Sequence, residues 1–584
     1  MGTAHATNER LTHRWLLGPI LLAAVLRVAW VFAQIPVAQG DECEYLRIAE
    51  RLLHAHQYQG LYEGPEVIYP PLPSILIALV SALGMSLSTA GLLVGIASGV
   101  FLVVSVYFLG RHLYGPRVGF LSATLTAVSP PLIQLSTTIH SETLDIALVV
   151  GGIYFAVRWI DERRQGVGIA CGALFSFAYL TRPEGILCLP VIAVAFVLTG
   201  RSHGSARRQT FSSVLPMLAI AGLIAAPYVA YLSHETGGFR IEGKSVVQHA
   251  QVRRLNAGMS LNEALYGLGP DLSEDGPMLS PNKWMLAAPA SVRLGDRARE
   301  LVPAARRNFN PLRWTLESGG FGGWLVIVLA AVGLLSRKRT NSRFASHVLV
   351  LVLVAGYAGV LLCSAAAIFF RYTILILPFM LIWAASGADI AARWAPDTLV
   401  RSAMPRAFRG AALMTAITGL LVADVLLLGL QAGYFRTDAP REWARMRAGC
   451  WLANTDSRPG QPIRVMSASN EVAYYADATK QRLPYASETK ALAYLNAKNP
   501  DYVVLVNEPQ FRAFYSEWLK RGIPDRAARL VHQIGPSNDP EAAVFEWTGV
   551  GEKRSSSEQA DGNDDRPRGG AAMCAELLAA YAKR

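Results

Sequence analysis

Charged residues are scarce: Asp, Glu, Lys and Arg make up 17% of the 584 residues, whereas 52% are hydrophobic, and the mean hydropathy is positive. That shortage argues against a soluble multidomain enzyme and for many apolar spans joined by short polar turns, a polytopic α-helical membrane protein. Cysteines number only six and show no metal-ligand spacing. Cys171, Cys188 and Cys363 fall in or beside apolar runs and read as small hydrophobes, while Cys450 and Cys574 are candidates to pair outside the cytoplasm. No convincing internal repeat is present, which weighs against an inverted-repeat transporter. Charges within the spans are confined to Arg27, Asp145 and Asp424, all toward the outer half of the expected topology, so the inner half lacks the polar steps of an ion path.

Apolar runs of spanning length, about 17 to 25 residues, lie near 15–34, 89–110, 117–134, 143–160, 184–200, 210–232, 319–336, 346–368, 370–388 and 410–431, with a weaker one at 167–181. The first is longer than a signal-peptide core and lacks a clear cleavage site, so it reads as a retained span. The apolar run Leu72 to Leu87 reads instead as a juxtamembrane or re-entrant helix, because a full crossing there would put Arg111 and Arg117 outside. About eleven spans result, with the amino terminus cytoplasmic and the carboxyl terminus outside. The formal charge of +12 then falls mostly in cytoplasmic connectors such as Arg163-Arg164, Arg207-Arg208, Arg337-Lys338-Arg339 and Arg393 to Arg409. This is the positive-inside pattern, and it explains the charge without a nucleic-acid partner.

Beyond residue 431 the pattern changes. Arg441 to Ala453, Glu471 to Tyr475 and Ala491 to Ala497 read as helices, and Ile463 to Met466 and Tyr502 to Val506 as strands. The expected organisation is a transmembrane domain over 1–431, an extracytoplasmic α/β domain over 432–548, and a disordered linker with a short terminal helix over 549–584.

Candidate chemistry clusters at the outer span ends. Gly40-Asp41-Glu42-Cys43-Glu44-Tyr45 follows the first span, and carboxylates at a bilayer surface suit proton abstraction from a hydroxyl or cation binding. The bland alternative is that Asp41 and Glu42 cap the amphipathic helix that Tyr45, Ile48, Ala49, Leu52 and Leu53 outline. Tyr69 precedes Pro70-Pro71, which enforce an extended approach to the next helix. His140 and Glu142 occupy the second external loop, Arg182 and Glu184 a third span end, Lys244 the long segment Ser233 to Ser318, and Arg371-Tyr372 open a late span. Arg371 is the preferred phosphate contact, with Arg182 and Lys244 behind it, since guanidinium offers charged, bidentate donors.

Taken as a set, the acidic pair after the first span, Tyr69-Pro70-Pro71-Leu72, Ser129-Pro130-Pro131, Thr181-Arg182-Pro183-Glu184-Gly185 and Arg371-Tyr372 resemble the GT-C superfamily of membrane glycosyltransferases. The likeness is to its family 39 type, which includes protein O-mannosyltransferases and the aminoarabinose transferase acting on lipid A, and it covers about residues 10–430. The resemblance implies transfer of a sugar from a polyprenyl-phosphate donor to a lipid, glycan or protein acceptor on the outer face of the inner membrane, with inversion. It implies that Asp41, or failing that Glu42, is the general base, and that Tyr45, Tyr69, His140, Glu142, Arg182, Glu184, Lys244, Arg371 and Tyr372 contact substrate. No metal is expected to be obligatory, because such donors lack a diphosphate, although a divalent cation beside Asp41 and Glu142 is compatible with the residues. The competing readings are a transporter or flippase of a lipid-linked sugar and a non-catalytic membrane scaffold.

Overall fold

The computed structural model describes residues 16–33, 37–202, 207–287, 294–317, 323–336, 344–364, 370–394, 406–431, 440–455, 463–508 and 511–548, together with 574, 577 and 578. The connector Arg337-Lys338-Arg339, most of the Arg393 to Arg409 connector and nearly all of the expected 549–584 linker and terminal helix lie outside the described residues.

Helices dominate up to residue 431. Among the described residues, five are long and apolar enough to cross a membrane: Leu87–Tyr114, Ser141–Glu162, Ser212–Glu235, Phe344–Cys363 and Arg371–Arg393. A sixth crossing arises if Pro116–Val128 and Pro130–Ser136, bent by 62° at Ser129, are one broken span. The cause of the bend is local, because Pro130 and Pro131 remove two amide donors and disfavour a helical Ser129. The remaining expected spans fall on shorter apolar helices, including Leu17–Ala33, Gln165–Tyr179, Pro183–Thr199, Gly323–Leu335 and Thr415–Leu427. Leu72–Ser81, expected as a juxtamembrane or re-entrant helix, has 10 residues, about 15 Å at 1.5 Å per residue and half of what a bilayer core needs.

A continuous apolar core joins these helices, running from Leu102 and Val106 through Ile153 and Phe175 to Phe379 and Trp383. Arg27, on the first helix, is fully buried: Nε donates to Ser136 Oγ at 2.8 Å and Nη1 to the carbonyls of Ala23 and Ala127 at 3.2 Å, while Nη2 has no hydrogen-bond partner among the described residues. Burial among apolar neighbours is tolerated only with such partners. It also ties the first helix to the bent pair Pro116–Val128 and Pro130–Ser136.

The carboxyl-terminal part builds a five-stranded mixed sheet in the order β2-β1-β3-β5-β4, from β1 (Arg464–Ser467), β2 (Thr479–Arg482), β3 (Tyr502–Val506), β4 (Ala528–Ile534) and β5 (Ala542–Trp547). β1 lies parallel to β2 and β3, and β5 runs antiparallel to β3 and β4. Strand periodicity divides β3 between two cores: Val503 and Leu505 pack with Tyr494 and Trp518 on one face, and Tyr502 and Val504 with Ala444, Ala448 and Leu452 on the other. Both faces are therefore covered, as the unbroken Tyr-Val-Val-Leu-Val run suggested.

Cys450, on the Pro440–Thr455 helix, is joined by a disulfide to Cys574. The bond closes a loop with a sequence separation of 124, so breaking it with a Cys574→Ser substitution is expected to lower stability by about 2–4 kcal/mol. A melting midpoint equal to that of the parent in non-reducing buffer would count against a stabilising role.

Candidate active site

The site assembles where four helix ends meet. Gly40 precedes the Asp41–His54 helix with φ 51° and ψ −116°, a backbone conformation open to glycine and strained for any residue with a Cβ. This turn presents Asp41 as the first helical residue. Its Oδ1 accepts from the Tyr69 hydroxyl at 3.0 Å, and its Oδ2 lies 2.7 Å from Arg371 Nη1. Both side chains stay open to solvent, with 30% exposure for Asp41 and 32% for Arg371. A substrate can therefore reach the pair.

Arg371 also reaches inward, with Nε 3.6 Å from Glu142 Oε1. Glu142 is buried and takes a second cation, Arg182, whose Nη1 donates at 3.0 Å. Arg182 Nη2 continues to Glu184 at 3.7 Å. The chain Asp41–Arg371–Glu142–Arg182–Glu184 thus alternates in sign. The Tyr372 ring lies at its edge, within 5.2 Å of Arg371, 5.3 Å of Arg182 and 6.0 Å of Lys244 Nζ. Tyr45 packs edge-on to Tyr69 at 5.4 Å between ring centroids, which fixes the hydroxyl that reaches Asp41.

The neighbouring acid behaves differently. Glu42 is buried, and its oxygens accept from the backbone N–H groups of Gln39 at 2.8 Å and Ile139 at 2.9 Å. His140 Nδ1 stands 3.4 Å from the same carboxylate. Glu42 therefore clamps the loop before its own helix to the loop before the Ser141–Glu162 helix. Burial opposes a charge on His140, yet Glu42, Glu142 and Asp41 around it raise its pKa above the ordinary imidazole value.

Asp41 is held low for the opposite reason. Burial pushes its carboxyl upward, but Arg371 first, then His140, Lys244 and the Tyr69 hydrogen bond, outweigh it and bring the pKa to about 2. At neutral pH the group is an open carboxylate already ionised and aligned with an arginine fork.

Every expected site residue thus lies in this neighbourhood or joins it through a partner. The sequence reading counted Glu44 among the carboxylates after the first span but overlooked Glu66, with which it forms a second acidic pair, both buried. Glu44 Oε2 accepts from the Leu61 amide at 2.9 Å, and Glu66 Oε1 from Ile68 and Tyr69 at 2.7 and 2.9 Å. Burial, followed by the charge of Glu66, pushes Glu44 up to about 8. The signal that was available is that Glu66 sits three residues before Tyr69, where its carboxylate can fold back onto the Ile68 and Tyr69 amides.

Among the described residues, no three His, Cys, Asp or Glu groups converge in a way that would hold a metal ion. The two carboxylates best placed to share one, Asp41 and Glu142, are bridged by Arg371 instead. A divalent cation between them would have to displace the Arg371 guanidinium.

Comparison with known proteins adds three findings. Residues 69–231 match the family model described as dolichyl-phosphate-mannose-protein mannosyltransferase. Curated protein sequences give no match. Among solved structures, the chain is similar to the archaeal oligosaccharyltransferase AglB from Archaeoglobus fulgidus in complex with an inhibitory peptide and a dolichol-phosphate, at 14% identity and TM-score 0.55 over 84% of this chain and 69% of that one. It is also similar to ArnT from Cupriavidus metallidurans bound to undecaprenyl phosphate, at 14% identity and TM-score 0.53 over 90% of this chain and 97% of that one. Another structure of the A. fulgidus enzyme, in complex with zinc and sulfate, aligns with TM-score 0.55 at 14% identity over 83% of this chain and 67% of that one. The chain, an integral membrane protein, thus shares the fold of these structures, and its residues 69–231, which run from Tyr69 through Glu142 and Arg182, match the family model.

Proposed function

We propose that the chain is a membrane glycosyltransferase that moves a sugar from a polyprenyl-phosphate-linked donor to an acceptor hydroxyl at the outer face of the membrane. The observation that carries this reading is the open Asp41–Arg371 pair, 2.7 Å apart, backed by Glu142 and Arg182. A base and a phosphate-binding fork stand side by side. Support also comes from the AglB and ArnT structures, which hold dolichol-phosphate and undecaprenyl phosphate respectively.

The chemistry is a single displacement. The acceptor hydroxyl gives its proton to Asp41 as its oxygen bonds to the anomeric carbon, and the bond from that carbon to the phosphate oxygen breaks. Its electron pair leaves with the polyprenyl phosphate, whose growing negative charge Arg371 stabilises. Attack opposite the leaving group inverts the anomeric centre. The low pKa of free Asp41 suits this order of events. When the donor phosphate draws on Arg371, the cation's hold on Asp41 weakens and the carboxylate becomes a better base as the acceptor arrives. Glu42, occupied by backbone amides, braces the loops instead, and Lys244 and Tyr372 flank the phosphate position.

Orientation follows the positive-inside reading, with basic connectors in the cytoplasm and the sheet-bearing unit outside. The Cys450–Cys574 bond supports that orientation, since disulfides persist in oxidising compartments. No obligatory metal enters the mechanism because Arg371 supplies the charge between the two acids. Activity is accordingly expected to survive exhaustive EDTA treatment, and loss that added Mg²⁺, Mn²⁺ or Zn²⁺ restores would overturn this point.

The function is tested by offering the purified chain in nanodiscs a panel of radiolabelled polyprenyl-phosphate sugars with membrane extract as the acceptor source. Release of free polyprenyl phosphate from one donor is expected. Movement of an intact donor across vesicles without cleavage would favour a flippase, and indifference to every donor a scaffold.

A further inference from the structure

The carboxyl-terminal unit does more than cover the membrane domain. Its Asn470–Tyr475 helix, which follows β1, abuts the amino end of the Asp41–His54 helix. Gly40 is gripped there by both of its backbone polar groups. Its N–H donates to Glu471 Oε1 at 3.1 Å, and its carbonyl accepts from Asn470 Nδ2 at 2.8 Å. Glu471 and Asn470 are themselves 2% and 9% exposed, so both gripping side chains are fixed within the protein while Gly40 lies at the surface.

Both gripping side chains are anchored from behind. Arg445 reaches Glu471 at 3.2 Å and Glu508 at 2.9 Å, which ties the helix after β1 to the carboxyl end of β3. Buried Lys480 donates to Asn470 Oδ1, and its backbone amide donates to the Leu61 carbonyl at 2.8 Å. On either side, the Ala38 N–H donates to the Tyr475 hydroxyl at 2.9 Å and Arg47 Nη2 to the Tyr474 carbonyl at 3.0 Å. The glycine turn that sets the direction of the Asp41 side chain is thus held from one side of the sheet.

We propose that Asn470 and Glu471 are positioning residues of the active site, which hold Gly40 in its positive-φ turn and so aim the adjoining Asp41 carboxylate at Arg371 and the acceptor. The proposal rests on the reading of Asp41 as base. Neither residue touches substrate. Their contribution is geometric, and a misplacement of the base of about 1 Å is enough to cost on the order of 100-fold in rate.

The test uses the full chain in nanodiscs with the double variant Asn470→Ala/Glu471→Ala, the conservative Glu471→Gln, and Lys520→Ala as a control at an exposed position of the same unit. Two readouts are taken: amide hydrogen exchange across residues 37–46, and kcat and KM for a radiolabelled polyprenyl-phosphate sugar. In the double variant, exchange across 37–46 is expected to rise and kcat to fall about 10- to 100-fold with KM nearly unchanged. Glu471→Gln keeps an acceptor for the Gly40 N–H and is expected to restore most of kcat, while Lys520→Ala matches the parent. Should the double variant fail to fold, Gly40→Ala attacks the same turn from the other side; its new Cβ has no heavy atom within 4 Å, so a similar fall in kcat would come from backbone strain alone.

Unchanged exchange, raised exchange with unchanged kcat, or a loss confined to KM would overturn the positioning role. The underlying reading fails separately. If the parent cleaves no donor, the exchange data still decide whether the grip on Gly40 exists. If Asp41→Asn is as active as the parent while the double variant loses kcat, the assignment of the base is at fault and the grip serves another group.

Discussion

Replacing Asp41 by Asn is expected to lower kcat by about 100- to 10,000-fold, the range spanned by a positioned general base. Asn has nearly the same shape and still accepts from the Tyr69 hydroxyl, so the local fold and the donor KM should change little. What disappears is the proton acceptor and the attraction for Arg371, 2.7 Å away. With the carboxylate gone, Arg371 is more available to the donor phosphate, and donor binding is expected to hold or tighten. A fall in kcat together with an unchanged or lower KM is the signature of an interaction made in the transition state. Steady-state kinetics with a radiolabelled lipid donor checks it, and a purely proportional rise in KM would mark Asp41 as a binding group instead.

The second large effect concerns Arg371. Truncation to Ala removes the partner of Asp41 and one of the two guanidinium groups on Glu142. It is expected to reduce kcat/KM by about 100- to 1,000-fold, the cost of deleting one donor aimed at charge that develops in the transition state. Arg371→Lys is expected to recover only part of this, because a lysine offers a point charge in place of a planar fork. The same substitution changes the pH profile. Arg371 is the main influence that holds the Asp41 carboxyl at about 2 against the upward push of burial. Without it the acidic limb of the rate profile should move upward, toward or beyond the ordinary aspartate value of 3.8. An acidic limb that stays in place would show that Asp41 is not the titrating base.

The sign of the linked effect on stability follows. The folded pKa of Asp41 lies below its unfolded value, so the contribution of the ion pair is complete above about pH 4 and is lost as the pH falls through about 2. Glu44 works in the opposite direction. Its folded pKa, raised to about 8, means that the folded chain binds the extra proton and loses stability as the pH rises toward that value. The two acids stand only three residues apart, yet an arginine faces one and a second glutamate the other.

That contrast also marks the limit of what could be read from the sequence. Apolar runs, basic connectors and the Tyr-Pro-Pro and Thr-Arg-Pro-Glu motifs led to the helical membrane architecture, and β3 was expected over the same residues, Tyr502 to Val506, that form it. Such signals are local, carried by hydropathy and by backbone chemistry. Asp41 and Glu42, in contrast, could not be separated, because both sit in the first turn of one helix. Only tertiary partners distinguish them: Arg371 for the first, and the Gln39 and Ile139 amides for the second. β2 went unrecognised for a related reason. Thr479-Lys480-Gln481-Arg482 has no apolar residue at all, and its buried Lys480 is accommodated by Asn470 rather than by hydrophobic neighbours. The grip of Asn470 and Glu471 on Gly40 spans about 430 positions of sequence, and neither residue belongs to a motif.

The most direct test of the account is the anomeric configuration of the product. The parent chain is incubated with a polyprenyl-phosphate sugar of defined anomer and its acceptor, and the new glycosidic linkage is read by NMR coupling constants, with free polyprenyl phosphate counted in the same sample. An inverted linkage, formed with one equivalent of polyprenyl phosphate, is the result expected of a single displacement with Asp41 as base. A retained linkage, or donor recovered intact, would contradict it.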